Sequence, residues 1–157
     1  MKKAKEGVKV VGMFRLNITE DGKIVGDSGW KKNQVTNLGF NQYLVSALGS
    51  IAGSKYVSHV ALGTGGAPAA SDTSLAGEQS VRASVTAATS SASKTVRFTA
   101  TFDSAVSFVT ASKNISNIGL FNTSTAAGGT LFAGNTFTSS AVATNQNVNA
   151  TYDIVFS

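Results

Sequence analysis

The chain has 157 residues with one Pro, 16 Gly and no Cys; 42% are hydrophobic and only 13% charged. That length predicts a single domain over residues 1–157 with a sizeable core, and the lack of cysteine excludes a disulfide framework, a thiol nucleophile and Cys-ligated metal sites. Charge falls well below the roughly 25% of an average globular protein, while Ser and Thr together number 37 and Asn 11, so the polar surface is built largely from uncharged side chains.

The net charge of +5 is unevenly placed, with eight of the 13 Lys and Arg inside residues 1–32 against four of the eight Asp and Glu. Residues 1–9 read as a basic arm carrying Lys2, Lys3, Lys5 and Lys9. A solvated terminus is the ordinary reading of such an arm. It lacks interleaved aromatics and is shorter than typical polybasic tracts, so nucleic acid is not an expected partner. No apolar run approaches the roughly 20 residues of a membrane-spanning helix, and no continuous apolar signal region follows the basic start. A soluble, unprocessed protein without a membrane partner is expected.

Val8 to Ile18 alternates Val8, Val10, Gly12, Phe14, Leu16 and Ile18 with Lys9, Val11, Met13, Arg15 and Asn17, the period of a strand with one buried side. Asp21-Gly22 supplies the positive φ of a tight turn, and Ile24-Val25 begins the returning strand. Residues 26–37 read as irregular, with Trp30, the only tryptophan, ahead of Lys31 and Lys32. After Asn37, the spacing of Leu38, Phe40, Tyr43, Leu44, Ala47 and Leu48 predicts one short α-helix near 38–48, stopped by Gly49. A strand over 57–62 follows, then a long loop over 63–75. Short strands are expected near 79–88, 94–103, 105–111, 114–121, 129–138 and 146–156. Their regular spacing predicts an all-β, mainly antiparallel domain: a β-sandwich, jelly-roll-like or barrel fold.

Few groups here carry catalytic chemistry. His59, the only histidine, sits on a strand pattern where a hydrogen-bonded structural role is the ordinary one. A Ser-His-Asp arrangement is open on residue types, but no Gly-x-Ser-x-Gly elbow accompanies it. Among the eight carboxylates only Glu20 and Asp21 are adjacent, inside a turn, and no Asp-x-Asp-x-Asp-Gly calcium loop occurs. Gly63-Thr64-Gly65-Gly66 lacks the third glycine of a dinucleotide loop and the Gly-Lys-Ser/Thr of a P-loop, so it reads as a flexible surface loop. No catalytic residue, cofactor or metal is assigned. Most of the 13 aromatics, among them Phe98, Phe102, Phe108, Phe121, Phe132, Phe137 and Phe156, fall at apolar strand positions and should be core. Trp30, beside Lys31 and Lys32, is the exception: a contact residue or a plug at the end of the fold.

Several phrases, in order along residues 30–156, carry a resemblance. They are Trp30-Lys31-Lys32-Asn33-Gln34-Val35-Thr36-Asn37-Leu38-Gly39, Val60-Ala61-Leu62-Gly63-Thr64-Gly65 with Ser71-Asp72-Thr73-Ser74-Leu75 and Glu78, Phe98-Thr99-Ala100-Thr101-Phe102, Ile118-Gly119-Leu120-Phe121, and Thr151-Tyr152-Asp153-Ile154-Val155-Phe156. Together they resemble small bacteriophage virion structural proteins of the kind found as capsid decoration (cement) proteins and as neck, tail or fibre components. Those proteins often read Glu where this chain has Asn117. The resemblance implies a non-enzymatic, β-rich assembly protein and brings no catalytic residues.

The leading expectation is a decoration protein on the capsid surface of the virion, made in the bacterial host cytoplasm. It would bind the major capsid protein and itself, as a homotrimer. Lys2, Lys3, Lys5, Lys9, Trp30, Lys31 and Lys32 are the expected partner contacts, within residues 1–18 and the 26–37 loop, with the 63–75 loop at a subunit boundary or exposed tip. The alternatives are a neck, tail or fibre protein, including a host-carbohydrate adhesin acting through Trp30, and a virion-associated hydrolase using His59.

Overall fold

A computed structural model describes residues 7–90, 92–106 and 108–157. It is an open β-sandwich, which decides against a closed barrel. The first sheet runs β2 (Lys23–Asp27), β1 (Val10–Glu20), β11 (Asn147–Phe156), β8 (Thr95–Phe102), β7 (Thr86–Ser90), with β3 (Lys31–Lys32) beside β2 on the free side of β1. The second runs β4 (Gln34–Val35), β10 (Leu131–Val142), β9 (Lys113–Phe121), β5 (His59–Gly63), β6 (Ala83–Ser84). All pairings are antiparallel.

Period-2 alternation fixes which side of each strand is buried. Along β1, Gly12, Phe14, Leu16 and Ile18 are buried; along β11, Val148, Ala150, Tyr152 and Ile154 are. The register sets Phe14 opposite Tyr152, and their rings stack at 5.7 Å, with Phe137 edge-on to Phe14 at 6.2 Å. Such aromatic pairs add about 0.5–1.5 kcal/mol beyond the area they bury. Phe98, Phe102, Phe108, Phe121 and Phe132 are buried and Phe137 and Phe156 pack partly against the core, as their strand positions predict. No helix of the described residues is long and apolar enough to cross a membrane.

Four segments differ from expectation. Residues 105–111 are not a strand: the chain makes a 3-10 turn at Ser104–Val106, and Phe108 and Val109 plug the core from a loop, with Phe108 5.4 Å from Phe102. Residues 79–88 are broken, because the chain leaves the second sheet after β6 and enters the first at β7. Residues 26–37 contain β3 and β4, one in each sheet and separated only by Asn33. This crossing requires Gly12, where a Cβ would lie 1.8 Å from the Asn33 side-chain oxygen.

In the fourth, the helix lies where the spacing predicts it, over residues 37–48, and the difference is its winding. Gly39–Val45 is π-helical, between α-helical residues 37–38 and Ser46–Leu48 (α1). Its start is tied down by Thr36 rather than Asn37. The buried Thr36 hydroxyl accepts from the Gly39 N–H at 2.9 Å and donates to the Leu131 carbonyl at 2.6 Å. Tyr43 is buried and donates to the Thr130 carbonyl, anchoring the π segment to the start of β10. A wider π turn carries more residues per revolution than an α turn, so the α-periodic stripe is lost. Leu48, placed by that stripe among the buried residues, is 89% exposed.

Candidate interaction surface

Among the described residues, no group of three or more His, Asp and Glu is placed to hold a metal ion. His59 opens β5 half-buried, with the Ser58 hydroxyl 2.8 Å from Nδ1. Burial lowers its pKa, and the nearby Arg82 charge adds to this, so the environment favours the uncharged imidazole. No carboxylate among the described residues is hydrogen-bonded to it. The glycine loop also differs from its reading as a flexible loop. Amides that would face a phosphate are taken: Thr64 N–H donates to Gly77 and Gly65 N–H to Ala76, both at 3.1 Å. Asn117, fully buried on β9, donates from Nδ2 to the carbonyls of Gly66 and Ala76 at 3.0 and 2.9 Å. It is the clasp of that loop.

Glu78 and Arg82 form a buried fork, with Nε to Oε1 at 2.5 Å and Nη2 to Oε2 at 3.1 Å. Arg82 also donates to the Thr123 carbonyl at 2.9 Å and lies 3.6 Å over the Phe121 ring. Every direction around the guanidinium is occupied, which makes it a joint between two loops and not a free anion site.

The outer face of the first sheet is built from odd-numbered residues of β1, β8 and β11. The register aligns Arg15, Thr151 and Thr99 in one row and Asn17, Asn149 and Thr101 in the next. Thr101 donates to Asn149 at 2.9 Å. Its two arginines are neutralised in place, Arg15 by Asp27 and Arg97 by Asp153 in a bidentate pair at 2.7 Å. The face is therefore broad, polar and nearly charge-neutral.

Trp30, 42% exposed, lies on this face, lining a shallow hollow with Met13, Asp153 and Val155 and facing the Arg97 guanidinium at 5.9 Å. Lys32 pairs with Met13 and Lys31 with Phe14, so alternation sends the two lysines to opposite sides of the sheet edge and only Lys32 joins Trp30. Lys9 is exposed at the head of β1, its backbone bonded to Ser157, several residues from Met13. Lys2, Lys3 and Lys5 lie outside the described residues. Of the expected contacts, the structure brings together Trp30 and Lys32 and sets Lys9 and Lys31 apart from them.

Asp27 holds the approach to Trp30. The Arg15 guanidinium and the Gly29 N–H, the latter at 2.8 Å, lower its pKa from 3.8 to about 2. The unfolded chain therefore takes up this proton first, and the stabilisation present above about pH 4 is lost as pH falls to about 2. Because Trp30 is the sole tryptophan, its fluorescence reports on this loop directly. Emission is expected to hold steady from pH 7 to 4 and shift red towards pH 2, and Asp27→Asn is expected to show the red-shifted spectrum already at pH 7.

A second surface escaped the sequence reading. Val45, Leu48, Ile51 and Tyr56, the last 76% exposed, follow one another at and after the end of the π segment and are all exposed, as is Phe40 within it. Tyr56 also lines an opening of about 140 Å³ with Tyr43, Leu44, Val57, Phe98 and Phe156 among others. This exposed apolar stretch, the apolar cap, is a candidate interaction surface. The available signal was an excess of apolar residues over 38–56, more than one helical stripe can bury. Set against known proteins, the chain matches no family model, no curated protein and no solved structure.

Proposed function

We propose that the protein is a non-enzymatic bacteriophage virion structural protein, a capsid decoration protein that seats as a homotrimer on the major capsid protein lattice. The observation that carries the assembly reading is the apolar cap of Val45, Leu48, Ile51 and Tyr56. A second copy, packing its own cap there about a threefold axis, would remove all of these side chains from water. The Thr- and Asn-rich outer face of the first sheet supports the same reading. Its two arginines are already paired with carboxylates, so burying them against a neighbour strands no guanidinium, a cost that would be several kcal/mol each. Simultaneous engagement by three copies multiplies weak contacts with the shell. The lysines that the sequence places in residues 1–9 would steer the approach to an acidic surface.

Two measurements test the proposal. Hundreds of copies in each purified particle are expected, whereas a count of 3 to about 12, the stoichiometry of closed rings on the tail axis, would overturn the capsid position. Removal of residues 1–9 is expected to slow association with undecorated capsids about tenfold at low salt, with the difference shrinking as salt rises. Unchanged association would remove the arm from the reading. A neck, tail or fibre adhesin is the second reading. It is favoured by the half-exposed indole of Trp30 over its hollow, a stacking surface for a sugar ring. A carbohydrate that quenches Trp30 emission, with binding lost in Trp30→Ala, would support it.

A further inference from the structure

An open sandwich has four sheet edges, and an exposed edge with unpaired N–H and C=O groups is a template for another strand unless something blunts it. Three are blunted here. β4 and β6 are two residues each. β2 carries Lys23 and Asp27, meets β1 through a register shift at Ile18/Thr19, and shares that flank with β3. The fourth, β7, is bonded to β8 on one side and has no strand on the other among the described residues. All five of its residues, Thr-Ala-Ala-Thr-Ser, are exposed. It contains no charge, Pro or Gly, the devices that keep edges apart.

We propose that β7 is a docking edge and that its occupant is β7 of a second copy, paired antiparallel across a twofold axis at Ala88. Two identical antiparallel strands related by a twofold must set one residue opposite itself. Centred on Ala88, Ala87 faces Thr89 and Thr86 faces Ser90, so every apposed pair is small or hydroxyl-bearing. Thr and Ser facing one another is a favourable cross-strand pair. Charge selects this edge for self-pairing, because copies of a chain of net charge +5 repel unless they meet where no cation faces a cation. The basic residue opposite Ala88 on β8 is Arg97, and its guanidinium is turned towards β11, neutralised by Asp153. Lys94 lies beyond the end of β7, as the last residue of the turn that leads into β8. The pairing joins two first sheets into one and leaves the apolar cap free, so threefold and twofold contacts can coexist.

The inference uses only the edges of the free protein and stands whether or not the chain decorates a capsid. The chain has no native cysteine, so a single engineered one can form only an intermolecular disulfide. Directly opposed antiparallel residues lie about 4.5–5.5 Å apart at Cα, inside the range a disulfide spans. In Ala88→Cys the disulfide-linked dimer on a non-reducing gel is expected to form at least about tenfold faster than in Val25→Cys, the exposed control on β2. Ala88→Lys, which apposes two cations across the axis, is expected to weaken self-association about tenfold or more by ultracentrifugation, with an unchanged β-sheet circular dichroism spectrum. Equal cross-linking rates for the two cysteine variants, or undiminished self-association of folded Ala88→Lys, would overturn the proposal.

Discussion

Replacing Glu78 with Ala is expected to destabilise the fold by about 3–5 kcal/mol, the cost of leaving a buried charge without its partner. Arg82 has no accessible side-chain surface and its partner is 7% exposed. Without Glu78 the guanidinium keeps one carbonyl, that of Thr123, and the face of Phe121. Neither supplies a counter-charge, and the packed surroundings admit little water. The loss spreads, because Glu78 Oε2 also accepts the Ala127 N–H at 3.3 Å and Gly63 bridges to Glu78 through the backbone. The 63–78 loop and the loop after β9 should therefore loosen together. Urea unfolding of Glu78→Ala should show the fall in midpoint, and amide exchange should quicken in both loops. Glu78→Leu combined with Arg82→Met, which removes the pair together, is expected to recover most of the lost stability. A loss under about 1 kcal/mol in Glu78→Ala would show that the ion pair is solvated.

The pair also marks where sequence reading stops. Glu78 and Arg82 are spaced for a helix, yet they sit in extended chain around β6, and only tertiary placement makes them partners. What could be read was local. The alternation of Val10–Glu20 and Asn147–Phe156 gave both strands and their buried sides, and Asp21-Gly22 gave the turn, where Asp21 and Gly22 both adopt positive φ. β3 and β4 escaped because two residues carry no period. Residues 105–111 look like a strand only because Phe108 and Val109 are apolar for the sake of plugging the core, not of lining a sheet.

Two of the phrases singled out in the sequence, residues 30–39 and 60–65, hold joints of the fold. Asn33 crosses between sheets over Gly12, Thr36 pins the helix, and the residues after Leu62 close a loop against Gly77 and Asn117. They speak for an architecture, and the apolar cap speaks for what that architecture presents. Asn117, the departure from the pattern, is buried and holds the loop through two carbonyls, a task for its amide donor that an ionised Glu could not perform.

Gly39→Ala is expected to cost about 3 kcal/mol and to dislodge the cap, because an added Cβ would fall 2.1 Å from the Phe132 carbonyl oxygen of β10. That obstacle is backbone, so no rotamer change relieves it. The helix start must back away from β10. In doing so it breaks the Gly39-to-Thr36 bond and strains the bond from Thr36 N–H to Phe132 at 3.0 Å. Leu48→Lys provides the contrast. Leu48 projects into solvent, where a substitution changes stability by no more than about 0.5 kcal/mol, yet it places three like charges together in the proposed trimer. Light scattering should therefore find Leu48→Lys folded and no larger than the β7-paired dimer at concentrations where the parent chain also assembles through its cap. Gly39→Ala should lose assembly and thermal stability together. If Leu48→Lys still assembles as the parent does, the cap is not the threefold contact, and the outer face around Trp30 becomes the surface to mutate next.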